Sequence, residues 1–349
     1  MAVKFASHSL NLLAANWFVP HQPVANEQLL GYMAEQCGWR MARKAQIIAK
    51  RLGVERRFLS RSFAQPRSQA SPTGVDMAKQ VLQQCLLQSD LQVEQLGYLL
   101  SHTCTPHTQV PPNAAWLADE LAYHGAYAEL RQACTGFANG LQLASALCAA
   151  DQAPVAIVGS ETGSVYFDLD KQFVDQQQLV NFVQMGDGCG GVIVGPASQQ
   201  ERLIKDIYLG QIGHNKAPGF YLDAGADSVG EGNMARFHHN ITQVKETGSQ
   251  LFELGLEAVL SRGYQLSDFR YILPHQANGH IDKLLSKALN YPKEQIINDA
   301  KSFGNLGSAA IWLSFARLLE NCPLEPGDQV LVLGAEATKY LYGGFVYQH

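Results

Sequence analysis

The sequence is poor in the features that mark several common protein classes. None of its seven cysteines (positions 37, 85, 104, 134, 148, 189 and 322) forms a CxxC pair, and their spacing suggests no framework. A disulfide scaffold is therefore not expected, and a reduced, cytoplasmic setting is the simplest one. No run approaches the roughly 20 apolar residues of a membrane helix. Residues 9–20 are mildly apolar, but Asn11, Asn16 and the Trp-Phe-Val-Pro ending suit a first strand and turn better than a signal core. Charged residues are only 16% of the chain and the net charge is −5, which argues against non-specific nucleic-acid binding. What remains is 349 residues, 46% of them apolar, enough for two domains or two halves sharing a core.

Within that frame one stretch stands out, Ala128 to Leu147 around Cys134. The residues before Cys134 can run as a short buried strand. After it, Phe137, Leu141, Ala144, Leu147 and Cys148 recur at helical spacing. Cys134 is thus expected at a strand-to-helix turn, where free N–H groups and the positive dipole end favour a thiolate, the nucleophilic form. A small buried cysteine is the plain alternative.

Residues 26–50 read as helical, and the window from Arg40 to Arg61 is basic, with Glu55 as its lone acid. That window is either a solvated face or a docking site for phosphates on a coenzyme or an acidic carrier protein. Residues 74–88 form a helix with Ala78, Val81, Leu82 and Cys85 inward, and residues 96–101 a strand. Asn113 is expected to cap a helix through Tyr123. His102, Cys104 and His107 match no structural zinc spacing, so no metal is expected. The glycine-rich residues 185–194 lead into a strand, which does not suit a phosphate-cradling loop. Residues 212–246 lack periodicity and suggest a surface excursion lining an entrance; the adjacent His238 and His239 would point different ways. A helix over 249–263, a strand over 269–273 and a helix over 281–289 follow. Gly304-Asn-Leu-Gly307 opens a helix over 308–320, and closing strands lie at 329–333 and 344–347.

The chain also repeats itself. QVEQLGYLLSH from Gln92 resembles QLSDFRYILPH from Gln265, 173 residues later. Val155-Ala-Ile-Val-Gly-Ser-Glu161 resembles Val330-Leu-Val-Leu-Gly-Ala-Glu336, 175 residues later. Near-equal offsets on strand-like segments point to two copies of one αβ unit in a layered α/β protein. His275 then closes a buried strand, the usual place for catalytic groups in such sheets. Asn305 lies in a glycine-bounded loop. Cys134, His275 and Asn305 make a coherent set: a thiolate to attack a thioester, and an imidazole and a carboxamide to donate to a developing oxyanion or enolate.

Taken in order, Ala133-Cys-Thr-Gly-Phe137, Gly186-Asp-Gly188, Pro274-His-Gln-Ala-Asn278 and Gly304-Asn305 resemble β-ketoacyl-acyl carrier protein synthase III, a branch of the thiolase-like superfamily. The likeness runs from Arg51-Leu-Gly-Val-Glu-Arg56 to Gly343-Gly-Phe345. It implies a five-layer αβαβα fold from two duplicated halves, here residues 1–200 with the nucleophile and 201–349 with His275 and Asn305, and it implies a homodimer. It also implies that Cys134 is acylated by a coenzyme A or carrier-protein thioester, the phosphopantetheine thioester being substrate and no separate cofactor being needed. His275 and Asn305 would stabilise the enolate of a second thioester. The N–H groups of Cys134 and Gly343 would form the oxyanion hole, Arg51 would meet the coenzyme, and Ala277 and Asn278 would line the pantetheine tunnel.

Some positions depart from that pattern. Ile47 replaces an adenine-stacking tryptophan, and Leu179 or a neighbour stands where an arginine is expected. His280 replaces a basic carrier-docking residue, and Val110 replaces a bulkier aromatic that limits the acyl pocket. These changes suggest a specialised relative in secondary metabolism or unusual lipid assembly. Two other readings stay open: an acyltransferase of the same fold acting on an oxygen or nitrogen nucleophile, and a non-catalytic subunit of a paralogue.

Overall fold

A computed structural model describes residues 3–65, 68–198, 202–226 and 235–349. Strands β1 (Lys4–Phe5), β2 (Leu10–Phe18) and β3 (Val24–Ala25) precede helices α1 (Asn26–Cys37) and α2 (Trp39–Leu52). Strand β4 (Arg56–Arg57), α3 (Gly74–Ser89), β5 (Tyr98–His102), α4 (Asn113–Leu121) and β6 (Ala126–Leu130) follow. Then come α5 (Gly136–Asp151), β7 (Val155–Glu161), α6 (Gln176–Gln184) and β8 (Gly188–Pro196). The remainder is β9 (Leu203–Gln211), β10 (Phe220–Leu222), β11 (Phe237–His239), α7 (Ile241–Leu260), β12 (Phe269–Pro274), α8 (Ile281–Leu289), α9 (Ala300–Phe303), α10 (Ala310–Asn321), β13 (Gln329–Glu336) and β14 (Leu341–Gln348).

One sheet carries the order β12-β13-β14-β9-β2-β8-β7-β5-β6, with β1 on β9. It is two half-sheets joined where β2 meets β9 at Leu10–Ile204 and Asn11–Leu203. From that seam each half reads alike: β2, β8 and β7 antiparallel then β5 parallel, and β9, β14 and β13 antiparallel then β12 parallel. The repeat keeps its register, Tyr98 opposite Val155 in one half and Tyr271 opposite Val330 in the other. These strands are apolar on both faces, as strands covered on both sides must be. Leu100 and Ile157 face a central core with Phe137, Trp312 and Phe345. Leu99, Ala156 and Val158 face α3 and α4. Helices α7 and α8 cover the outer face of the second half. The layers are therefore α3/α4, half-sheet, α5/α10, half-sheet and α7/α8, the five-layer thiolase-like fold.

Local differences from the sequence reading have simple causes. The first helical region breaks at Gly38, whose φ is 90°. Asn113 is the first helical residue and not the cap; its Oδ1 accepts from the His107 N–H at 2.7 Å. Helix α7 starts earlier than expected because Asn240 caps it, accepting from the Gln243 N–H at 3.2 Å. It thereby absorbs part of the supposed excursion, of which residues 227–234 lie outside the described residues. Arg57 and Arg61 are buried, so neither belongs to a solvated basic face. The Arg57 guanidinium donates to Asn26 Oδ1 and to the Val183 carbonyl, each at 2.7 Å, and burial lowers its pKa to about 10.

Phe137 is fully buried on α5 and meets Trp312 and Phe345 edge-on at 5.8 and 6.1 Å, tying α5 to α10 and β14. Phe137→Ala should cost about 3–5 kcal/mol, read as a lowered urea midpoint at unchanged m-value.

Candidate active site

The chain leaves β6 at Leu130 and enters α5 at Gly136, which places Cys134 in the turn between them. A side chain at position 136 would put its Cβ 2.4 Å from His102 Nδ1, so only glycine lets the helix start here. Two buried carboxylates flank the turn. Glu336 accepts from the Thr135 N–H at 2.8 Å and the Thr135 hydroxyl at 2.7 Å, and from the Thr338 hydroxyl. Glu161 accepts from the Cys104 N–H and S–H, both at 3.1 Å, and from the Thr105 hydroxyl at 2.5 Å. It also accepts from the Ser308 N–H at 3.2 Å and the Ser308 hydroxyl at 2.5 Å.

Burial, then Glu336, then Glu161 push the Cys134 thiol well above the ordinary cysteine range, and its own N–H opposes them. The helix N-terminus was expected to hold a thiolate. In the free protein desolvation and the neighbouring carboxylates outweigh it, and the thiol is the resting form.

His275 follows directly on β12, its N–H donating to the Leu333 carbonyl at 2.7 Å. Burial lowers the ring's pKa to about 4, so it is neutral near pH 7. Its Nδ1 is buried without a partner. A proton there would be an unsatisfied buried donor, so the proton belongs on Nε2. Asn305 is pinned through its backbone: its N–H donates to the Gln184 carbonyl at 2.8 Å and its carbonyl accepts from the Gly186 N–H at 3.1 Å. Gly304 makes this approach possible, with φ at 77° and no Cβ, which would stand 2.7 Å from the Gln184 oxygen. Asn305 Oδ1 accepts from the Gly307 N–H at 3.1 Å, leaving the NH2 as the side chain's remaining donor.

Cys134, His275 and Asn305 line one cavity of about 160 Å³. Ala277 lies on the same wall, its carbonyl accepting from Gln184 Nε2 at 2.6 Å. So do Cys104, Glu161, Glu336, Asn181 and His239, while Val244, Leu251 and Phe252 of α7 make an apolar side. Other expected site residues lie elsewhere. Asn278 Oδ1 accepts from the His280 N–H at 2.9 Å, off the cavity wall. Arg51 is exposed on the last turn of α2. Val110 is 84% exposed on the loop before α4 and does not reach the cavity within one chain. Gly343 is not at the cavity either: it lies within β14, where a Cβ would stand 2.8 Å from Ala138 Cβ, so its glycine serves strand-to-helix packing. The turn after β13 reaches the cavity instead, through Ala337 and Thr338. Leu179 is in the core of α6, Ile47 is about half exposed, and the His280 ring lies over Gly53.

His102, Cys104 and His107 point apart. His102 Nε2 accepts from Trp312 Nε1 at 3.0 Å, Cys104 faces Glu161, and His107 packs edge-on to Trp116 at 5.7 Å. The carboxylates were missed although their signal was visible: Glu161 and Glu336 end the two copies of the duplicated strand.

Two family models match the chain: 3-oxoacyl-[acyl-carrier-protein] synthase III over residues 128–213, and its C-terminal part over residues 260–348. Among curated relatives, a β-ketoacyl-[acyl-carrier-protein] synthase III of Clostridium perfringens (strain SM101 / Type A) is 24% identical, covering 91% of this chain and 92% of the relative. One from Deinococcus deserti is 26% identical, covering 93% and 87%. Among solved structures, AbyA1, a tetronic acid condensing enzyme, superposes with a TM-score of 0.84 at 21% identity, covering 97% of this chain and all of that one. The 3-oxoacyl-[acyl-carrier-protein] synthase III of Aquifex aeolicus VF5 gives 0.80 at 21% identity, with the same coverage. At these identities the structures speak for the fold.

Removing the charge that weighs more on the nucleophile should raise its thiolate fraction. Glu336→Gln keeps an acceptor for Thr135 and should speed iodoacetamide alkylation of Cys134 at pH 7.5 on the order of tenfold, the equivalent of one pKa unit. Peptide mass spectrometry of the alkylated residue measures it.

Proposed function

The chain belongs to the β-ketoacyl-acyl carrier protein synthase III family, and from that premise we propose that it is an acyl-thioester condensing enzyme. The observation that carries the reading is the meeting of Cys134, His275 and Asn305 on one cavity wall. Cys134 Sγ attacks the donor thioester carbonyl, the donor thiol leaves with the proton, and an acyl-cysteine remains. The oxyanion of that step takes the hydrogen bond of the Cys134 N–H, a reading supported by the turn of that N–H toward its own sulfur. A second thioester then enters. Its carbonyl oxygen takes the hydrogen bonds of His275 Nε2–H and the Asn305 NH2, which favour the enolate left when a malonyl unit loses carbon dioxide. The carbanion attacks the acyl-cysteine, the carbon–sulfur bond breaks, the sulfur takes a proton from solvent to restore the thiol, and a β-ketoacyl thioester leaves. A neutral imidazole suits this role, because it donates without needing to gain a proton.

Donors on coenzyme A or a carrier protein fit this reading. A homodimer fits too: among the described residues β6 is an open sheet edge that bears Tyr127, 44% exposed, and Val110 and Trp116 are exposed as well. Val110 can limit an acyl pocket only across such a boundary. The seven free cysteines suit a reduced cytoplasmic setting, and no described helix is long and apolar enough to cross a membrane.

Intact-protein mass spectrometry with a panel of acyl thioesters should show one acyl adduct, absent in Cys134→Ala. Addition of malonyl thioester should release carbon dioxide, and His275→Ala should cut that release by about 10²–10³-fold. Loading that persists in Cys134→Ala would sink the nucleophile assignment. No loading with any donor would favour a non-catalytic subunit.

A further inference from the structure

His239 lies on the cavity wall, and the condensation gives it no work. It lies on β11 beside His238, and the two rings diverge. His238 turns out to Asp223, with Nε2 2.8 Å from Oδ2, and stacks on Tyr221 at 4.5 Å. His239 turns in, edge-on to Phe220 at 5.5 Å, and lines the cavity. Its tautomer follows from its neighbours. Asn181 Nδ2 donates to the Phe237 carbonyl at 3.3 Å, so the Asn181 oxygen is the end that faces His239 Nδ1 at 3.2 Å. Nδ1 therefore carries the proton. Burial lowers the ring's pKa to about 4, so it is neutral and Nε2 is a bare acceptor. Among the described residues nothing is bonded to that nitrogen.

The cavity thus holds two neutral imidazoles of opposite polarity. His275 offers a donor, as an enolate requires. His239 offers an acceptor, for which a decarboxylative condensation has no use, because loss of carbon dioxide generates the carbanion without removing a proton. The two centres are close in the fold. Asn181, which orients His239, and Gln184, whose carbonyl holds the Asn305 N–H, are three residues apart on α6, neighbours at about 5–6 Å between Cβ atoms.

Resting on the acyl-cysteine reading above, we infer that His239 is a general base for a hydroxyl nucleophile, so that the site also transfers the Cys134 acyl group to oxygen. The acceptor's O–H bond breaks as its oxygen bonds to the acyl carbon, and the proton goes to His239 Nε2. Collapse of the tetrahedral adduct breaks the carbon–sulfur bond. The sulfur recovers a proton from the imidazolium through solvent, so the thiol and the neutral ring are restored and an ester is the product. The acceptor class is a hydroxyl-bearing acyl thioester, which enters by the same route as the condensation partner.

The test uses the full chain loaded at Cys134 from an acyl-coenzyme A, then mixed with equal concentrations of malonyl-coenzyme A and 3-hydroxybutyryl-coenzyme A, with ester and β-ketoacyl products separated by mass spectrometry. Wild-type protein should form both. His239→Gln should lower the ratio of ester to β-ketoacyl product by about 10²-fold, the low end of a general base's usual contribution. Asn181→Leu keeps the ring but frees its tautomer, and should lower the ratio less. The mass shift at Cys134 in each variant shows that the site is still assembled. Loaded wild-type protein that yields no ester, or an unchanged ratio in His239→Gln, overturns the inference and leaves the condensation reading standing. Failure of wild-type Cys134 to load overturns both.

Discussion

Two reciprocal hydrogen-bonded ties hold the halves in register, and the site depends on them. Glu336 ends the strand of the second half and accepts from Thr135 at the start of α5 in the first. Glu161 ends the matching strand of the first half and accepts from Ser308 at the start of the α10 segment in the second. The partners are themselves related by the duplication, Thr135 and Ser308 being 173 residues apart and the glutamates 175. Bonds to a charged group are worth about 1.5–3 kcal/mol each, and buried carboxylates without them would not be tolerated. Each central helix is thereby fixed to the opposite half, and Cys134 is fixed with it.

These ties have an electrostatic consequence. They place two negative charges beside the nucleophile, which raises its thiol and disfavours further negative charge nearby. The remaining machinery compensates with donors that are not charged: a neutral imidazole, a carboxamide and backbone N–H groups. Burial keeps the His275 ring neutral, so it adds no positive charge to the cavity that the glutamates also line.

Much of this architecture was readable beforehand, for a physical reason. Parallel strands covered on both faces are unbroken apolar runs, so residues 155–159 and 269–273 declared themselves, and their likeness exposed the duplication. Strand ends then located Cys134 and His275. Residues whose role depends on what lies across space were not readable. Arg57 sat in a basic run and is buried against carbonyl oxygens. At Gly343 a glycine that admits a ligand and one that admits Ala138 look alike in sequence. The hairpin β10–β11 is too short to show alternation, so the inward turn of His239 left no trace.

The duplication also shows how one position takes two fates. His102 and His275 are equivalent strand-end histidines. In the first half the His102 ring turns between the layers over Gly159, where a Cβ would stand 2.6 Å from it. There Trp312 donates to Nε2 at 3.0 Å, so that nitrogen is taken up inside the fold. In the second half the glycine equivalent to Gly159 is Gly334, and the ring of Phe137 fills the space above it, 2.6 Å from where a Cβ would be. An aromatic ring offers no N–H, and the place between the layers is taken. His275 therefore has no indole bonded to its ring among the described residues, and it lines the cavity. The asymmetry that separates a histidine held between the layers from one that lines the cavity is set on the facing helices, Phe137 on α5 and Trp312 on α10, and not on the strands that precede the histidines.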